Sequence, residues 1–228
     1  MTDLRYPGVF ITGTDTGVGK TVYACGLLRS LGRAGVRATG MKPVASGADR
    51  IDGEWRNADA LALLEAAPQP VPYARCNPCC FEPAIAPHIA ARQAGREIDL
   101  GGIGEAWRQL RDIAEFVVVE GVGGWQVPLN DNQTVADLAR LLQLPVILVV
   151  GIRLGCINHA LLSADSIRRQ GVEFLGWVAN MIEPDMACRA ENVSAIEQRL
   201  DAPLLDVIEF TAPPLSDRSQ PGLDISML

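Results

Sequence analysis

Short apolar runs alternate along this chain with longer segments in which apolar and polar residues recur at helical spacing. The runs that predict β-strands lie at residues 9–11, 36–41, 116–119, 146–150 and 175–179. The segments that predict helices lie at residues 22–34, 58–65, 100–113, 135–142, 158–170 and 189–200. Strands that alternate with helices are typical of parallel βαβ units. The pattern therefore predicts an α/β fold, in which a mostly parallel sheet carries helices on both faces.

The runs at 116–119 and 146–150 are apolar at every position. A strand that is covered by helices on both faces has no polar side, so we expect these two strands to be central. Ligands of such sheets bind at the carboxyl ends of the strands. The proline-rich stretch 68–87 predicts an extended connection over the sheet edge, and the residues from 211 onward predict an irregular tail.

Composition narrows the class of protein. A chain of 228 residues with 48% hydrophobic content suits one domain that spans residues 1–228. Its 20 basic and 27 acidic residues give a formal net charge of −7, which disfavours binding to the phosphates of nucleic acid. No apolar run reaches membrane-spanning length, and the first residues lack the pattern of a signal peptide. We therefore expect a cytoplasmic protein that acts on small molecules, with no nucleic-acid or membrane partner.

The chain contains 6 cysteines, which we expect to be reduced thiols in a cytoplasmic protein. Cys76, Cys79 and Cys80 form a C-x-x-C-C cluster. A cluster of this kind can begin a metal site, but no second pair of cysteines or histidines follows at zinc spacing. Cys25 and Cys156 are typical of small buried thiols, and we expect neither to be a nucleophile.

Residues 13–21, with the sequence GTDTGVGKT, lie between the first predicted strand and the first predicted helix. This is the setting of a phosphate-binding loop, in which backbone N–H groups and the positive end of a helix hold a polyphosphate. Thr14 stands where the standard motif has its first glycine, so the loop is a variant. We expect Lys20 to reach the β- and γ-phosphates and Thr21 to bind magnesium. The predicted fold is therefore P-loop NTPase-like.

Polar residues follow two other predicted strands. Lys42 and Ser46 come directly after the second strand, and Glu120 ends the third strand, before a flexible turn at 121–124. Asp59 begins a predicted helix. The carboxylates of Glu120 and Asp59 suit magnesium, which prefers a few hard oxygens together with phosphates and waters. These residues predict a charged crevice at the carboxyl edge of the sheet.

Simpler interpretations of the same residues remain open. Lys42 is also compatible with a solvated lysine, Ser46 with an ordinary turn, and Asp59 with a carboxylate that stabilises a helix dipole. Glu120 is harder to explain in this way, because a carboxylate at the end of an apolar strand needs a partner.

Taken together, the motifs resemble the dethiobiotin synthetase family over nearly the whole chain. The pair KPVASG and GCINHA is far more specific than the loop alone. The resemblance is carried by the segments GTDTGVGKT (13–21), KPVASG (42–47), NADAL (57–61), PH (87–88), VEGVGGW (119–125), GCINHA (155–160) and GWVAN (176–180).

The resemblance implies an ATP-dependent ligase of biotin biosynthesis. Such an enzyme closes the ureido ring of dethiobiotin from 7,8-diaminononanoate, CO2 and ATP, through a carbamate and a carbamic–phosphoric anhydride, and releases ADP and phosphate. The resemblance also implies magnesium as cofactor and a homodimer with the substrate site at its interface. Bringing the anionic carbamate to the γ-phosphate calls for concentrated positive charge.

The resemblance assigns site residues as follows. Lys42 and Lys20 are the catalytic lysines, and the magnesium ligands are Thr21, Asp59 and Glu120. Substrate contacts are implied for Ser46, Thr16 and, across the dimer interface, Gly155, Cys156, Ile157 and Asn158. ATP contacts are implied for Gly17, Val18, Gly19, Lys20, Thr21, Val22, Asp59, Glu120, Gly121, Val122, Gly123, Asn180, Glu209, Phe210 and Thr211.

The chain departs from the family pattern at several places. Gly17 stands where an acidic residue is common, residues 84–86 are more apolar than usual, and residues 209–211 lack the usual proline. The cysteine cluster at 76–80 also lies outside the pattern.

Other classes are less consistent with the sequence. A P-loop switch protein that dimerises on a macromolecular partner would carry a signature lysine where this chain has Asp15. An amidating relative that acts on a cobalamin precursor would have a longer chain. A former enzyme that only binds nucleotide would be expected to have lost Lys42 or Glu120, and both are present.

Overall fold

The computed structural model describes residues 4–210 and 225–228. In chain order its elements are β1 (Gly8–Gly13), α1 (Lys20–Arg33), β2 (Ala38–Met41), β3 (Val44–Ser46), β4 (Asp49–Ile51), β5 (Glu54–Arg56), α2 (Ala58–Ala66), α3 (Tyr73–Cys76), β6 (Cys79–Phe81), α4 (Pro87–Gln93), α5 (Leu100–Arg111), β7 (Phe116–Glu120), α6 (Val135–Leu142), β8 (Val146–Gly151), α7 (Cys156–Arg169), β9 (Phe174–Asn180), α8 (Arg189–Glu197) and β10 (Leu204–Ile208).

A six-stranded sheet with the order β10-β9-β8-β1-β7-β2 forms the centre of the fold, and all of its pairings are parallel. This confirms the predicted α/β fold. The run at 116–119 lies in β7 and the run at 146–150 in β8, on either side of β1, as predicted for central strands. Because the strands are parallel, their carboxyl ends meet at one edge, where Ile11 of β1 pairs with Glu120 of β7.

Alternate residues of the central strands face two separate apolar layers. Val9 and Ile11 of β1 belong to the layer that packs against α1 and α2. Phe10 lies on the opposite face, in the layer that includes residues of α5, α6 and α7. The sheet is therefore covered on both faces, which explains why its central strands have no polar side. None of the helices in the described ranges is long and apolar enough to cross a bilayer.

The stretch 68–87 runs over the sheet edge as predicted, but the prediction that it is extended throughout is wrong. This stretch contains the short helix α3 and the strand β6, which pairs in parallel with β3. Its backbone groups bond to the free edge of β2 and to the residues that follow it, since Gln69 N–H donates to Ala38 C=O and Lys42 N–H donates to Cys76 C=O. The prolines indicate that long helices are absent from this stretch. They do not indicate that it pairs with β3 and bonds to the edge of β2, because those partners are distant in sequence. The prediction also lacked β10, β3, β4, β5 and α4.

Candidate nucleotide and substrate site

The glycine-rich loop joins β1 to α1 and leaves the first N–H groups of α1 without a side-chain cap. Gly17 and Gly19 have φ angles of 76° and 92°, which lie in the left-handed region that favours glycine. A Cβ atom at Gly19 would lie 2.0 Å from Nδ2 of Asn180. The same Nδ2 donates a hydrogen bond of 2.8 Å to Val18 C=O, so the end of β9 fixes the loop.

Lys20 is buried within this loop, and its Nζ donates to Asp15 C=O at 2.9 Å. Among the described residues, no carboxylate lies within 4.0 Å of this ammonium group. Burial, followed by repulsion from Lys42, lowers the pKa of Lys20 to about 8. A buried ammonium group with no carboxylate in contact is well suited to receive an anionic ligand.

Lys42 lies directly beyond β2 and contacts two carboxylates. Its Nζ is 2.6 Å from Oε1 of Glu120 and 2.9 Å from Oδ2 of Asp59, and it also donates to Gly121 C=O at 3.2 Å. The Lys42 side chain is only 3% exposed, so the alternative of a solvated lysine is wrong. Burial lowers the pKa of Lys42, but attraction to Glu120 and Asp59 outweighs burial and raises that pKa above its ordinary value.

Glu120 ends β7 and is completely buried. Its Oε1 accepts hydrogen bonds from Lys42 and, at 2.9 Å, from the hydroxyl of Thr21, whereas its Oε2 has no hydrogen-bond partner among the described residues. Burial raises the pKa of Glu120, and Lys42 opposes that rise. Burial raises the pKa of Asp59, but attraction to Lys42, hydrogen bonds from Lys42 and Thr21, and attraction to Lys20 together outweigh it, so that this pKa lies below its ordinary value.

These oxygens match the ligand preference of magnesium. Thr21, Asp59 and Glu120 offer one hydroxyl and two carboxylates, and Oε2 of Glu120 is a buried acceptor with no partner in the described chain. Within residues 4–210 and 225–228 there is no group of three or more His, Cys, Asp or Glu arranged to hold a metal ion. A magnesium ion here would therefore complete its shell with phosphate and water oxygens, as is typical of that ion.

A cavity of about 810 Å³ opens at the carboxyl edge of the sheet and brings most of the predicted residues together. Its size and its mixture of apolar walls and charged groups are typical of small-molecule sites. Predicted residues that line it are Thr16, Gly17, Gly19, Lys20, Thr21, Val22, Lys42, Ser46, Asp59, Glu120, Val122 and Gly123. Gly121 C=O accepts from Lys42 of this wall, and Val18, which stands between the lining residues Gly17 and Gly19, accepts from Asn180 Nδ2.

The remaining predicted residues do not line this cavity. Residues 155–158 form the start of α7, where Gly155 has a φ of 94° and Cys156 is buried. Leu154, directly before them, is 91% exposed. Glu209 and Phe210 follow β10 and are exposed, while Thr211 lies outside the described residues.

The sequence analysis missed Asn57, which also lines the cavity. Its Oδ1 accepts from the N–H groups of Asp59 and Ala60 and so caps α2, while its Nδ2 donates to Gly47 C=O at 2.9 Å. An asparagine directly before a helical run is an N-cap signature, so the signal was present. The segment 84–87 also lines the cavity and was not predicted to do so from its composition.

The cysteines lie outside this chemistry. All six are unpaired, and burial raises the pKa of Cys25 and of Cys76 to about 12 and that of Cys79 to about 11. Thiols with such pKa values are protonated at neutral pH and are poor nucleophiles.

Comparison with known proteins gives a consistent result. A family model described as an AAA domain matches residues 7–215. The chain is 47% identical to the ATP-dependent dethiobiotin synthetase BioD of Cellvibrio japonicus (strain Ueda107), with 96% of both chains covered. It is 52% identical to the BioD of Aromatoleum aromaticum (strain DSM 19018 / LMG 30748 / EbN1), which covers 89% of this chain and 90% of that protein.

Solved structures of lower similarity share the fold. The MinC:MinD cell division complex of Aquifex aeolicus has a TM-score of 0.57 at 16% identity, and 90% of this chain and 81% of that chain are covered. A ParA family ATPase of Chlorobium tepidum TLS has a TM-score of 0.55 at 12% identity, with 89% and 84% covered. At these identities the likeness concerns the fold alone.

Proposed function

The chain belongs to the ATP-dependent dethiobiotin synthetase family, ligases of biotin biosynthesis, and we propose that its cavity carries out ring closure with the residues described above. The resemblance noted in the sequence is thereby confirmed. The observation that carries the residue assignment is the meeting of Lys20, Lys42, Asp59 and Glu120 in one cavity beside the glycine-rich loop. In this proposal the whole of 1–228 forms a single ligase domain.

The proposed reaction begins with the carbamate that one amine of 7,8-diaminononanoate forms with CO2. A carbamate oxygen attacks the γ-phosphorus of ATP, the bond to the β-phosphate oxygen breaks, and ADP leaves. The second amine then attacks the carbonyl carbon of the carbamic–phosphoric anhydride, loses its proton, and expels phosphate as the ring closes. The phosphoryl transfer brings the carbamate anion to the anionic γ-phosphate, and the ring closure builds negative charge on the leaving phosphate, so a preorganised cluster of cations lowers both barriers.

Lys20 and Lys42 provide that charge. Among the described residues the Lys20 ammonium group contacts no carboxylate and donates to Asp15 C=O, so it has donors for phosphate oxygens. Lys42 stays protonated between Glu120 and Asp59 at the wall of the cavity, and its third donor goes to Gly121 C=O. By exchanging that longest bond, at 3.2 Å, its ammonium group can donate to the carbamate and the transferred phosphoryl group. Ser46 and Thr16 line the same cavity and supply hydroxyls for the diamine.

Magnesium is the proposed cofactor, held by Thr21, Asp59 and Glu120 together with phosphate oxygens of ATP. The fit rests on hard oxygen donors and on the buried Oε2 of Glu120, which lacks a partner within the described residues. When bound, the ion neutralises phosphate charge and orients the γ-phosphate.

The nucleotide is proposed to lie along the loop, with its phosphates on the N–H groups of residues 17–22. The end of β9 adjoins the end of β10, since Asn180 pairs with Ile208 and Met181 N–H donates to Ile208 C=O. Asn180, Glu209 and Phe210 are therefore close neighbours beside the loop, and we assign them to the adenine, with Thr211 as the next residue of that stretch.

We also propose a homodimer in the cytoplasm, in which the start of α7 from one subunit binds the substrate carboxylate in the other. The first turn of α7, at residues 155–158, has no side-chain cap, and such a helix end favours an anion. The exposed Leu154 and Leu162 flank it with apolar surface of the kind that association buries.

The test is product formation by the purified protein with ATP, bicarbonate and magnesium, with and without 7,8-diaminononanoate. We expect one phosphate for each dethiobiotin that mass spectrometry detects, and a halt when magnesium is chelated. Binding of ATP without either product would contradict the proposal and favour a switch protein. Sedimentation of the same sample tests the dimer separately.

A further inference from the structure

Lys42 lies just past the open edge of the sheet. In the described structure, β2 is the last strand of the six-stranded sheet and pairs only with β7. The segment 69–79 runs along the other side of β2: Lys42 N–H donates to Cys76 C=O at 2.8 Å, and Cys79 N–H donates to Pro43 C=O at 3.1 Å. The backbone that carries the Lys42 side chain is therefore held by this segment rather than by another sheet strand.

Asn77 completes that hold on Lys42. Its side chain is buried, and its Nδ2 donates to Lys42 C=O at 2.6 Å and to Cys79 C=O at 3.3 Å. Its Oδ1 accepts a hydrogen bond of 2.8 Å from the hydroxyl of Tyr73. Both backbone polar groups of Lys42 thus bond to the segment that begins with Tyr73.

The same hydroxyl connects to the opposite wall of the cavity. Asn57 N–H donates to the Tyr73 hydroxyl at 2.8 Å, and the Asn57 side chain holds both the start of α2 and Gly47 C=O. The Arg56 guanidinium lies 4.0 Å from the centre of the Tyr73 ring and restrains it. Burial raises the pKa of Tyr73, so the hydroxyl keeps its proton and acts as donor and acceptor at once.

We propose that Tyr73 is a positioning residue for ring closure, whose hydroxyl fixes the distance between Lys42 and the wall formed by Asp59 and the 46–47 turn. The inference rests on the proposed roles of Lys42 and Ser46. The hydroxyl bonds to Asn57 and Asn77 and lies 3.6 Å from Cys80 Sγ, and none of these contacts is to the glycine-rich loop. Through the two asparagines it reaches the segments that carry Lys42, Asp59 and the 46–47 turn. Because the N–H group of Asp59 stays bonded to Asn57 Oδ1, loss of the hydroxyl should chiefly displace Lys42 and the 46–47 turn. It should therefore disturb the diamine and the transferring phosphoryl group, while the binding of ATP by the loop is preserved.

The experiment compares Tyr73→Phe with Tyr6→Phe. Tyr6 is a matched control because its hydroxyl also makes a side-chain hydrogen bond, to Glu173 at 2.5 Å, but it precedes β1 at the far edge of the sheet. For Tyr73→Phe we expect kcat to fall about tenfold and KM for 7,8-diaminononanoate to rise about fivefold, since misplacement of groups by a fraction of an ångström has effects of this order. KM for ATP should stay within about twofold, and Tyr6→Phe should match the wild type.

Three results would overturn the inference. These are kinetics of Tyr73→Phe equal to those of Tyr6→Phe, a rise of both KM values together, and a fall of kcat with both KM values unchanged, which indicates only a smaller active fraction. Absence of dethiobiotin with the wild-type protein would instead contradict the proposed function.

A second variant keeps the test decisive if Tyr73→Phe does not fold. Asn57→Ser retains a helix-capping oxygen but loses the amide that donates to Gly47 C=O. We expect its KM for the diamine to rise severalfold and its KM for ATP to stay within about twofold. Unchanged KM for the diamine in Asn57→Ser would count against the network as a positioning device.

Discussion

Two buried lysines line the same cavity, and their surroundings differ. Lys20, in the glycine-rich loop, donates to a backbone carbonyl and contacts no described carboxylate. Lys42, beyond β2, lies between Glu120 and Asp59. Burial dominates at Lys20 and lowers its pKa to about 8, whereas the carboxylates dominate at Lys42 and raise its pKa.

The protein therefore buries positive charge in the wall of this cavity in two different ways. Burying the charged Lys20 side chain without a carboxylate partner costs folding free energy. An anionic ligand that contacts this ammonium group offsets that cost, which favours binding of the ligand. Lys42 is compensated within the protein, and removing it leaves Glu120 buried without its cation. The two lysines should therefore respond differently to mutation and to pH.

The largest effect is expected from Lys42→Ala. Turnover should fall at least about a hundredfold, the scale of lost charge-stabilising groups, and the free energy of unfolding should drop by roughly 3–5 kcal/mol because Glu120 loses its partner. Phosphate release and denaturant unfolding measure the two quantities. Near-normal turnover would remove Lys42 from the mechanism.

The double variant Lys42→Met with Glu120→Gln serves as its control. Replacing both members of a buried ion pair by neutral groups is often close to neutral for stability. We expect stability to recover, which would show that the unfolding cost of Lys42→Ala comes from the unpaired Glu120. Turnover should stay low, since Glu120 is also a proposed magnesium ligand.

The next largest effect is the pH dependence of ATP binding, to which Lys20 and Lys42 should contribute differently. ATP bound as proposed would favour the ammonium form of Lys20, whereas the free protein loses that proton as pH rises through about 8. Above that pH, binding must take up a proton, so affinity for ATP should fall by up to about tenfold per pH unit. Below it, Lys20 is already charged and contributes no pH dependence. Lys42, with a raised pKa, keeps its charge over the same range.

Calorimetric titration of ATP without magnesium, from about pH 7 to about pH 9.5, measures this dependence. Lys20→Arg is the matched variant, because a guanidinium group stays charged throughout. Its affinity should be independent of pH in this range. A decline as steep as that of the wild type would assign the titration to another group.

The smallest effect concerns the support of the Lys20 loop. Arg153 contacts the carboxylate of Asp15, whose carbonyl accepts from Lys20, and both side chains are partly exposed. Because exposed ion pairs contribute little, Arg153→Ala should lower the free energy of unfolding by less than about 1 kcal/mol and raise KM for ATP less than about threefold. Arg92→Ala, which breaks an exposed pair with Asp131, is the control. A much larger rise in KM for ATP would show that the loop depends on this pair.

The sequence was sufficient to predict that Lys42 and Glu120 meet. Both follow strands with clear apolar patterns, and β2 and β7 turn out to be neighbours with their carboxyl ends aligned. The sequence indicates a site role for Glu120, because a carboxylate that ends a buried strand needs a partner. The setting of the loop between β1 and α1 was equally readable from local pattern.

The hydrogen bonds that fix the backbone of Lys42 were not predictable in the same way. The residues 73–80 look like irregular, proline-flanked chain. Two partners distant in sequence fix them: α3 bonds to Lys42 beyond β2 through Cys76 C=O, and β6 pairs with β3. Residues 155–158 were predicted as substrate contacts, and within one chain they start α7 outside the cavity. Their role stays a prediction that depends on a second subunit.

The position of β1 has a consequence for how the chain reaches this structure. Gly8 pairs with Val117 and Phe10 with Val146, so the strand made first finds both of its neighbours only after most of the chain exists. Pairings so distant in sequence slow folding, because the entropy cost of closing a large loop comes before the favourable free energy of the contacts. During synthesis β1, the strand that leads into the glycine-rich loop, therefore lacks one or both of its partner strands until β8 has left the ribosome. The first half of the molecule should be the part that depends most on chaperones.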